Sequence, residues 1–295
     1  MAELKKPDEA ADLSQSSGPT IAVAFGGGGA RGYAHIHIIE ILDELGIKPV
    51  AISGASIGAI MGAAMASGMS GKEIHEYALE LAGNRTGALT RYFKARPSGL
   101  GNMFNNEFSL GQLDGRTILK AFLPPQIKET FAELQIPLSV SATDYYGFKE
   151  TIYNDGNLID AIAASSSIPA VFRPVQIDGR YMVDGGFYNP VPFDHLIGRA
   201  DLIIGIDVVG TPIGDVTKAP KAIDSIYGAS QLMMQSILTN KLAITPPDIF
   251  LRPNVSKYRV QDFFKAQNIL EDSKDVREEL KRSLDDAVNA FQKSQ

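Results

Sequence analysis

The sequence PVAISGASIGAIMGAAMASG, residues 49–68, is the stretch that indicates the fold most directly. Its first part is an apolar run with strand character, and its second part is rich in small apolar residues, as a buried helix often is. Between strand and helix, the pattern Gly-x-Ser-x-Gly holds a serine hydroxyl exposed at the edge of a sheet. The alternative is a turn of small residues that only lets the helix pack closely. The strand–helix context favours a nucleophile at Ser56, with a strand over Pro49–Ser53 and a helix over Ile57–Ser67.

The same region is uncharged from Pro49 to Gly71, which is long enough to be mistaken for a membrane span. Gly54, Gly58 and Gly62 even have the small-xxx-small spacing of packed membrane helices. However, the stretch contains many glycines and serines and few large aliphatic residues. It also divides into a strand, a turn and a helix, so we predict a buried segment of a globular domain.

Apolar runs with strand character alternate with helical patterns along most of the chain. Near-continuous apolar runs are typical of parallel strands that are covered on both faces. Alternating strands and helices therefore predict a three-layer α/β/α fold with a mostly parallel central sheet. The predicted elements are a strand at Ile21–Phe25, a helix at Ala34–Leu45, strands at Ile136–Ala142 and Leu202–Val209, and a hairpin whose strands Val175–Ile177 and Tyr181–Val183 flank Asp178-Gly179.

We expect one domain over residues 19–295, after a polar, disordered lead-in at residues 1–18. The motifs fall within about residues 21–209, and helices are expected over 220–295. The last of these is amphipathic, with apolar residues at helical spacing: Val276, Leu280, Leu284, Val288 and Phe291. The region from Gly83 to Gln112 is rich in glycine, asparagine and aromatic residues without clear periodicity, and we favour an irregular cap over a site there.

The second motif is the glycine-rich loop GGGGARG, residues 26–32, between the first strand and the first helix. A dinucleotide-binding loop would require an acidic residue at the end of the second strand, where this chain has only SGAS, residues 53–56. A phosphate loop would end in Gly-Lys-Ser/Thr, which the loop lacks. The interpretation that remains is an oxyanion hole, formed by backbone N–H groups beside the predicted nucleophile. Its candidate residues are Gly27, Gly28, Gly29, Ala30, Arg31 and Gly32.

A serine nucleophile needs a proton acceptor, and the residues alone leave several candidates. Asp184 stands at the end of the predicted hairpin strand, but Asp-Gly pairs also occur in ordinary turns. His195 follows Ser56 and Asp184 in the chain order of α/β-hydrolase triads. His35 lies close behind the glycine loop, and Asp144 is a further carboxylate at a strand end.

Taken together, these segments resemble the patatin-like phospholipase family. The resemblance covers about Ile21 to Val209 and depends on Gly27-Gly28-Gly29-Ala30-Arg31-Gly32, Gly54-Ala55-Ser56-Ile57-Gly58 and Asp184-Gly185-Gly186 in that order. Ser165-Ser166-Ser167-Ile168-Pro169 and Asn189-Pro190-Val191-Pro192 also look like the segments that flank the family's aspartate.

The resemblance implies a patatin-like fold and a Ser–Asp dyad without histidine, with Ser56 as nucleophile and Asp184 as base. It also implies that the loop glycines, chiefly Gly28 and Gly29, donate to the oxyanion. The implied reaction is hydrolysis of fatty acyl esters of phospholipids or glycerolipids through an acyl-enzyme on Ser56, with no metal or organic cofactor. A small-ester carboxylesterase and a non-catalytic lipid-binding protein are the alternatives.

Composition limits the partners and the compartment. The formal net charge of −6, without a dense Lys/Arg run, argues against nucleic-acid binding. The chain has no cysteine and no secretory h-region, so we expect a cytoplasmic protein, with peripheral membrane contact left open. An apolar stripe could contact lipid, but we favour core packing for it. Its members are Ile226, Met233, Met234, Ile237, Leu238 and Leu242.

Overall fold

A mixed β-sheet forms the centre of the protein. The computed structural model describes residues 18–84, 87, 114–169, 171–215 and 217–294. Within these residues, eight strands join in one sheet. The strands are β1 (Ile21–Phe25), β2 (Ala51–Ala55), β3 (Leu138–Asp144), β4 (Lys149–Tyr153), β5 (Val175–Ile177), β6 (Arg180–Asp184), β7 (Leu202–Ile206) and β8 (Ile249–Leu251).

The helices lie between and after these strands. The α-helices of the described residues are α1 (His35–Glu44), α2 (Ile57–Ala66), α3 (Gly71–Gly83), α4 (Gly115–Phe122), α5 (Leu158–Ser165), α6 (Ala222–Ile244), α7 (Ala266–Ser273) and α8 (Val276–Ser294). Short 3-10 helices occupy Gly29–Ala34, Phe131–Glu133, Gly185–Phe187, Phe193–Leu196 and Phe263–Lys265.

The strand order is β5-β6-β3-β2-β1-β7-β8, and β4 also pairs with β3. From β3 to β8 every pairing is parallel, whereas β4, β5 and β6 join antiparallel. The predicted mostly parallel sheet is confirmed. The predicted hairpin is confirmed as well, and its two turn residues, Asp178 and Gly179, have φ of 48° and 76°. Positive φ at both positions is the requirement of a tight two-residue hairpin turn.

The two faces of the sheet pack against different layers. In β1, the side chains of Ile21, Val23 and Phe25 belong to the larger core, which includes helices α1, α2 and α8. The alternate residues, Ala22 and Ala24, pack on the opposite face against a smaller cluster. That cluster contains Val191, Phe193, Leu196 and, from α6, Leu238. Successive side chains of β1 thus point to opposite faces of the sheet, and helices pack against both faces. The three-layer α/β/α prediction is therefore confirmed.

Strand β2 begins and ends two residues later than the predicted Pro49–Ser53. Gly54 and Ala55 are small residues that suggest a turn, yet both pair with neighbouring strands, Gly54 with Phe25 and Ala55 with Ser141. Ser56 therefore follows the last paired residue directly. The region predicted as buried rather than membrane-spanning is mostly buried, with Val50 and Gly68 exposed. Among the described helices, none has the length and hydropathy needed to cross a membrane.

The C-terminal half contains the expected helices. In α8, Val276, Leu280 and Leu284 are buried, as the amphipathic pattern predicted. The prediction of core packing for the stripe on α6 is wrong in part. Leu238 is fully buried and Leu242 packs against the same cluster, but Ile226 and Met233 are exposed. Most of the predicted lead-in and of the predicted cap, residues 1–17, 85–86 and 88–113, lies outside the described residues.

Candidate active site

Ser56 occupies the sharp turn between β2 and α2. Its φ of 55° and ψ of −125° lie in a region that non-glycine residues rarely adopt. The turn also requires small neighbours. A Cβ on Gly58 would lie 2.0 Å from the carbonyl oxygen of Phe25, so only glycine lets α2 approach β1 this closely. The strained serine is thus held by the close packing of a strand, a turn and a helix, as the motif predicted.

The pairing along β3 explains why Ser56 meets Asp184. Strand β4 occupies one edge of β3 over Val140–Asp144, so β2 and β6 must share the other edge. On that edge, Ala55 pairs with Ser141, and Asp184 pairs with the next residue, Ala142. The two strands therefore meet end to end. The residue that follows β2 and the last residue of β6 become neighbours.

The side chains of Ser56 and Asp184 form a short hydrogen bond in a buried setting. Ser56 Oγ donates to Asp184 Oδ2 at 2.6 Å. The other carboxylate oxygen, Oδ1, accepts a hydrogen bond from the backbone N–H of Gly186 at 2.8 Å. Gly186 lies in the short 3-10 helix Gly185–Phe187, which directly follows Asp184. Burial raises the pKa of Asp184 from 3.8 to about 6, against the opposing effect of these two hydrogen bonds. The carboxylate is therefore a stronger base than a solvated aspartate and is still mostly ionised at neutral pH.

A second serine supports the nucleophile turn and was not predicted as a site residue. The backbone N–H of Ser56 donates to Ser165 Oγ at 2.8 Å, and Ser165 Oγ donates to the carbonyl oxygen of Ser141 at 2.6 Å. Ser165 is fully buried at the end of α5. The sequence signal was the run of three serines, but nothing in that run indicates which hydroxyl faces the turn. Thr143 also supports the site, since its Oγ1 donates to the carbonyl oxygen of Asp184.

The glycine loop lines the same cleft as Ser56, and its backbone N–H groups differ in whether they already have an acceptor. The N–H of Gly27 donates to Pro190 and that of Ala30 donates to Val260, so these two predicted oxyanion donors are already engaged. The N–H groups of Gly28 and Gly29 have no acceptor among the described residues. Gly27, Gly28, Gly29, Arg31, Ser56 and Asp184 line one cleft, whereas Ala30 and Gly32 are buried in the 3-10 helix behind it. Gly28 and Gly29 are therefore glycines of the cleft lining whose N–H groups have no acceptor in the described part of the chain.

Arg31 adds a buried positive charge beneath the loop. Its Nε donates to the carbonyl oxygen of Gly28 at 3.2 Å, which fixes the loop backbone from below. Burial lowers the pKa of Arg31 to about 10, partly opposed by the charge of Asp207. The guanidinium therefore stays protonated at neutral pH. Its positive potential acts at the loop in a setting of low dielectric constant.

The cleft above Ser56 has a volume of about 1050 Å³. Its walls combine apolar side chains, such as Ile168, Phe187 and Met234, with charged side chains of both signs, such as Arg259 and its ion-pair partner Asp224. Clefts that hold organic ligands are typically apolar with a few polar groups, and ~300–1,000 Å³ is their usual size. This cleft is large enough for a chain of many carbon atoms.

The other candidate bases lie elsewhere. His35 Nε2 donates to the carbonyl oxygen of Gly26 at 2.9 Å, and full burial lowers the pKa of this histidine to about 4. His35 thus supports the end of β1 as a neutral residue. Asp144 accepts the N–H of Gly147 and lies 3.4 Å from an Arg180 nitrogen, so it shapes the turn after β3.

His195 belongs to a separate polar cluster. Its Nε2 lies 3.0 Å from Glu150 Oε1 and 3.9 Å from Asp194 Oδ2. Among the described residues, these three groups have the spacing of a metal site. However, the ammonium of Lys241 lies 2.5 Å from Asp194 Oδ1, and the hydroxyl of Ser141 donates to Glu150 at 2.6 Å. The cluster is therefore already satisfied by internal ion pairs and hydrogen bonds.

Comparison with known proteins identifies the family. The sequence profile of the patatin-like phospholipase family matches residues 23–197. The chain belongs to this family. The match contains the glycine loop, the Ser56 turn and Asp184, so the resemblance seen in the motifs is confirmed.

The relatives that match this chain include longer proteins. An uncharacterized NTE family protein of Mycobacterium tuberculosis is 36% identical over 205 residues, which are 69% of this chain and 53% of the relative. Patatin-like phospholipase domain-containing protein 6 of Mus musculus is 26% identical over 296 residues, which are 90% of this chain and 21% of that protein. The chain thus spans about half the length of the mycobacterial relative and about a fifth of the mouse protein.

Solved structures with some similarity include two bacterial proteins. VipD from Legionella pneumophila has a TM-score of 0.47 and 16% identity, covering 90% of this chain and 67% of VipD. ExoU from Pseudomonas aeruginosa, in complex with SpcU, has a TM-score of 0.38 and 16% identity, covering 91% of this chain and 52% of the matched chain. Both similarities are weak over the full length.

Proposed function

We propose that this protein is a serine-dependent lipid acyl hydrolase, with Ser56 as nucleophile and Asp184 as base. The observation that carries the proposal is the 2.6 Å hydrogen bond from Ser56 Oγ to the buried carboxylate of Asp184. Gly28 and Gly29, whose N–H groups have no acceptor among the described residues, line the same cleft as this serine and support the proposal, since acyl transfer needs both an activated nucleophile and an oxyanion hole. Membership in the patatin-like phospholipase family favours a lipid ester as substrate.

In the first half of the reaction, Asp184 Oδ2 accepts the proton as Ser56 Oγ attacks the acyl carbonyl carbon. The carbonyl oxygen becomes an oxyanion and accepts hydrogen bonds from the N–H groups of Gly28 and Gly29. Each such donor is worth about 10²–10³ in kcat in comparable sites. The bond from the carbonyl carbon to the alcohol oxygen then breaks, and protonated Asp184 returns its proton to the leaving alcohol.

In the second half, a water molecule attacks the acyl-Ser56 ester while Asp184 accepts a proton from it. The same two N–H groups stabilise the second oxyanion. When the ester bond breaks, Asp184 returns a proton to Ser56 Oγ and the carboxylic acid leaves. With a pKa of about 6, Asp184 can accept and return protons near neutral pH.

The size and apolar wall of the cleft favour a substrate with a long acyl chain over a small ester alone. Its apolar wall includes Ile168, Phe187 and Met234, which can pack along methylene groups. Lys257 and Arg259 of the cleft are paired with Asp272 and Asp224, so the apolar wall, and not the charge of the cleft, carries this part of the proposal.

The test is a panel of phospholipids, glycerolipids and short-chain esters, assayed with wild type and Ser56→Ala side by side. We expect Ser56→Ala to fall to background on every substrate and Asp184→Asn to be nearly as damaging, while His195→Ala retains substantial activity. Circular dichroism establishes that each variant is folded. Fluorophosphonate labelling of wild type, absent in Ser56→Ala, separates an enzyme from a lipid-binding protein without turnover. Turnover retained by folded Ser56→Ala would refute the proposal.

A further inference from the structure

The turn between β3 and β4, residues 145–148, exposes a cluster of aromatic rings. Tyr145, Tyr146 and Phe148 are 55%, 73% and 88% exposed, and Phe148 is the most exposed large apolar side chain of the described residues. Tyr181 on β6 adds a fourth ring. Tyr146 meets Tyr145 and Tyr181 edge to face, with ring centroids 4.9 Å and 6.4 Å apart. We call these four residues the aromatic tip.

Neither folding nor backbone geometry explains Phe148. An exposed phenylalanine gains nothing from burial within this chain. Its φ of 52° is a left-handed conformation that glycine or asparagine adopts readily and a bulky aromatic residue rarely adopts. A residue that is unfavourable on both counts is often retained for function.

The aromatic tip projects beyond the candidate active site at the same edge of the sheet. Strand β3 runs parallel to β2, and Ser141 lies opposite Ala55, the residue before Ser56. Asp144 ends β3 three residues further on, so the tip stands about 10 Å beyond the level of Ser56. The cleft itself carries two further exposed apolar side chains, Ile213 and Ile226, which are 67% and 61% exposed.

The charges around the aromatic tip do not oppose a lipid surface. The carboxylate of Asp144 is buried and bound to the N–H of Gly147, with Arg180 close by. Lys149 and Arg180 are exposed at the base of the tip, and Asp178 is the exposed acidic residue of the neighbouring turn. Tyrosine rings, with one apolar part and one hydroxyl, favour the boundary between lipid head groups and acyl chains.

We propose that the aromatic tip inserts into the head-group boundary of a phospholipid bilayer and holds the cleft against that surface. Its role in delivering substrate rests on the proposed function, whereas the binding itself does not. The positive and negative side chains near the tip balance one another, so we expect binding to depend on insertion of apolar side chains. A bilayer of zwitterionic phosphatidylcholine should therefore be sufficient for binding.

The experiment measures binding of the full chain to phosphatidylcholine vesicles by co-sedimentation, with Ser56→Ala as background so that no lipid is consumed. We expect Phe148→Gly in this background to weaken vesicle partitioning at least tenfold, from the loss of one buried phenylalanine. Glycine also suits the positive φ, so the midpoint of thermal unfolding should stay the same or rise. A folding defect is thereby separated from a binding defect.

The matched control is Ile244→Ser. Ile244 is 82% exposed but ends α6 shortly before β8 begins, which places it at the opposite edge of the sheet. We expect this variant to bind vesicles like its parent. In the otherwise wild-type chain, Phe148→Gly should leave hydrolysis of a soluble short-chain ester unchanged and lower hydrolysis of vesicle lipid.

Three outcomes overturn the proposal. They are absence of vesicle binding by the parent chain, equal binding by Phe148→Gly, and an equal loss of binding in Ile244→Ser. If Phe148→Gly instead changes the oligomeric state in sedimentation velocity and leaves vesicle binding intact, the tip is a protein contact. Vesicle binding by a chain that hydrolyses no ester would reject the proposed function and leave the tip proposal standing.

Discussion

At the scale of single residues, the conformation of Ser56 depends on a hydrogen bond that its own side chain does not make. The strained turn directs the N–H of Ser56 at Ser165 Oγ, 2.8 Å away in the interior. Ser165 does not line the cleft, so it acts on the reaction only through the position of Ser56. It is a positioning residue.

Ser165→Ala should lower kcat and leave KM for a short-chain ester nearly unchanged. The variant leaves a buried N–H without an acceptor, which costs about 1–3 kcal/mol and lets the strained turn relax. We expect a loss of about tenfold to a hundredfold in kcat. Ser165→Thr, which keeps a hydroxyl, should restore part of it.

Ser166→Ala is the matched control for this prediction. The Ser166 hydroxyl is buried and has no hydrogen-bond partner within the described chain, so its removal should not reduce kcat or stability. Equal losses in the Ser165 and Ser166 variants, or a change confined to KM, would show that Ser165 has no specific role at the turn.

At the scale of elements, a cation near the C-terminal end of helix α6 binds the segment that follows Asp184, while Gln231 and Gln235 of the same helix bond to the chain after β7. Lys241 Nζ lies 2.5 Å from Asn189 Oδ1, 3.0 Å from the carbonyl oxygen of Val191 and 2.5 Å from Asp194 Oδ1. Earlier in the same helix, Met234 forms part of the cleft wall. The Lys241 contacts therefore link the segment after Asp184 to the helix that forms a wall of the cleft.

Lys241→Met should loosen α6 and raise KM for long-chain substrates more than for short ones. The apolar part of the side chain is kept, but Asp194 loses its buried cation, so the free energy of unfolding should fall by about 1–3 kcal/mol. Chemical denaturation and kinetics with a chain-length series measure the two effects. Asn240→Ala, at an exposed position on the same helix, is the control. A KM increase that is the same for every chain length would contradict this role of α6.

The strands and helices near the motifs could be predicted from the sequence, but the contact between the motifs in the folded chain could not. The turn at Ser56 and the glycine loop follow successive strands, which local pattern identifies well. The end-to-end contact of β2 and β6 depends on pairing with β3 between residues far apart in sequence, and no local pattern encodes it. For the same reason, the residues alone did not separate Asp184 from His195. The end of β2 was missed because Gly54 and Ala55 have low strand propensity, while neighbouring strands override it.

At the scale of the whole molecule, the proposed role of Asp184 as the base links activity to stability in opposite directions. Its pKa rises from 3.8 to about 6 on folding, mainly through burial. The folded state therefore holds this proton more tightly than the unfolded state, and the stabilising contribution of the group is full below about 3.8. It is lost as the pH rises towards 6, where the ionised carboxylate becomes available as a base.

Between pH 4 and 8, activity should increase with pH and reach half of its maximum near pH 6. Over the same range, the free energy of unfolding of wild type should fall relative to that of Asp184→Asn. The asparagine does not titrate and can still accept the N–H of Gly186. We expect the variant to be more stable by roughly 2–3 kcal/mol at pH 8 and by less than about 1 kcal/mol at pH 4. Denaturant unfolding of both proteins at each pH measures the difference between their free energies of unfolding. The contributions of the other titrating groups are common to both proteins and cancel in this difference. A difference that does not vary with pH would mean that burial does not raise the pKa of Asp184, and the base would then lack the property that fits it to neutral pH.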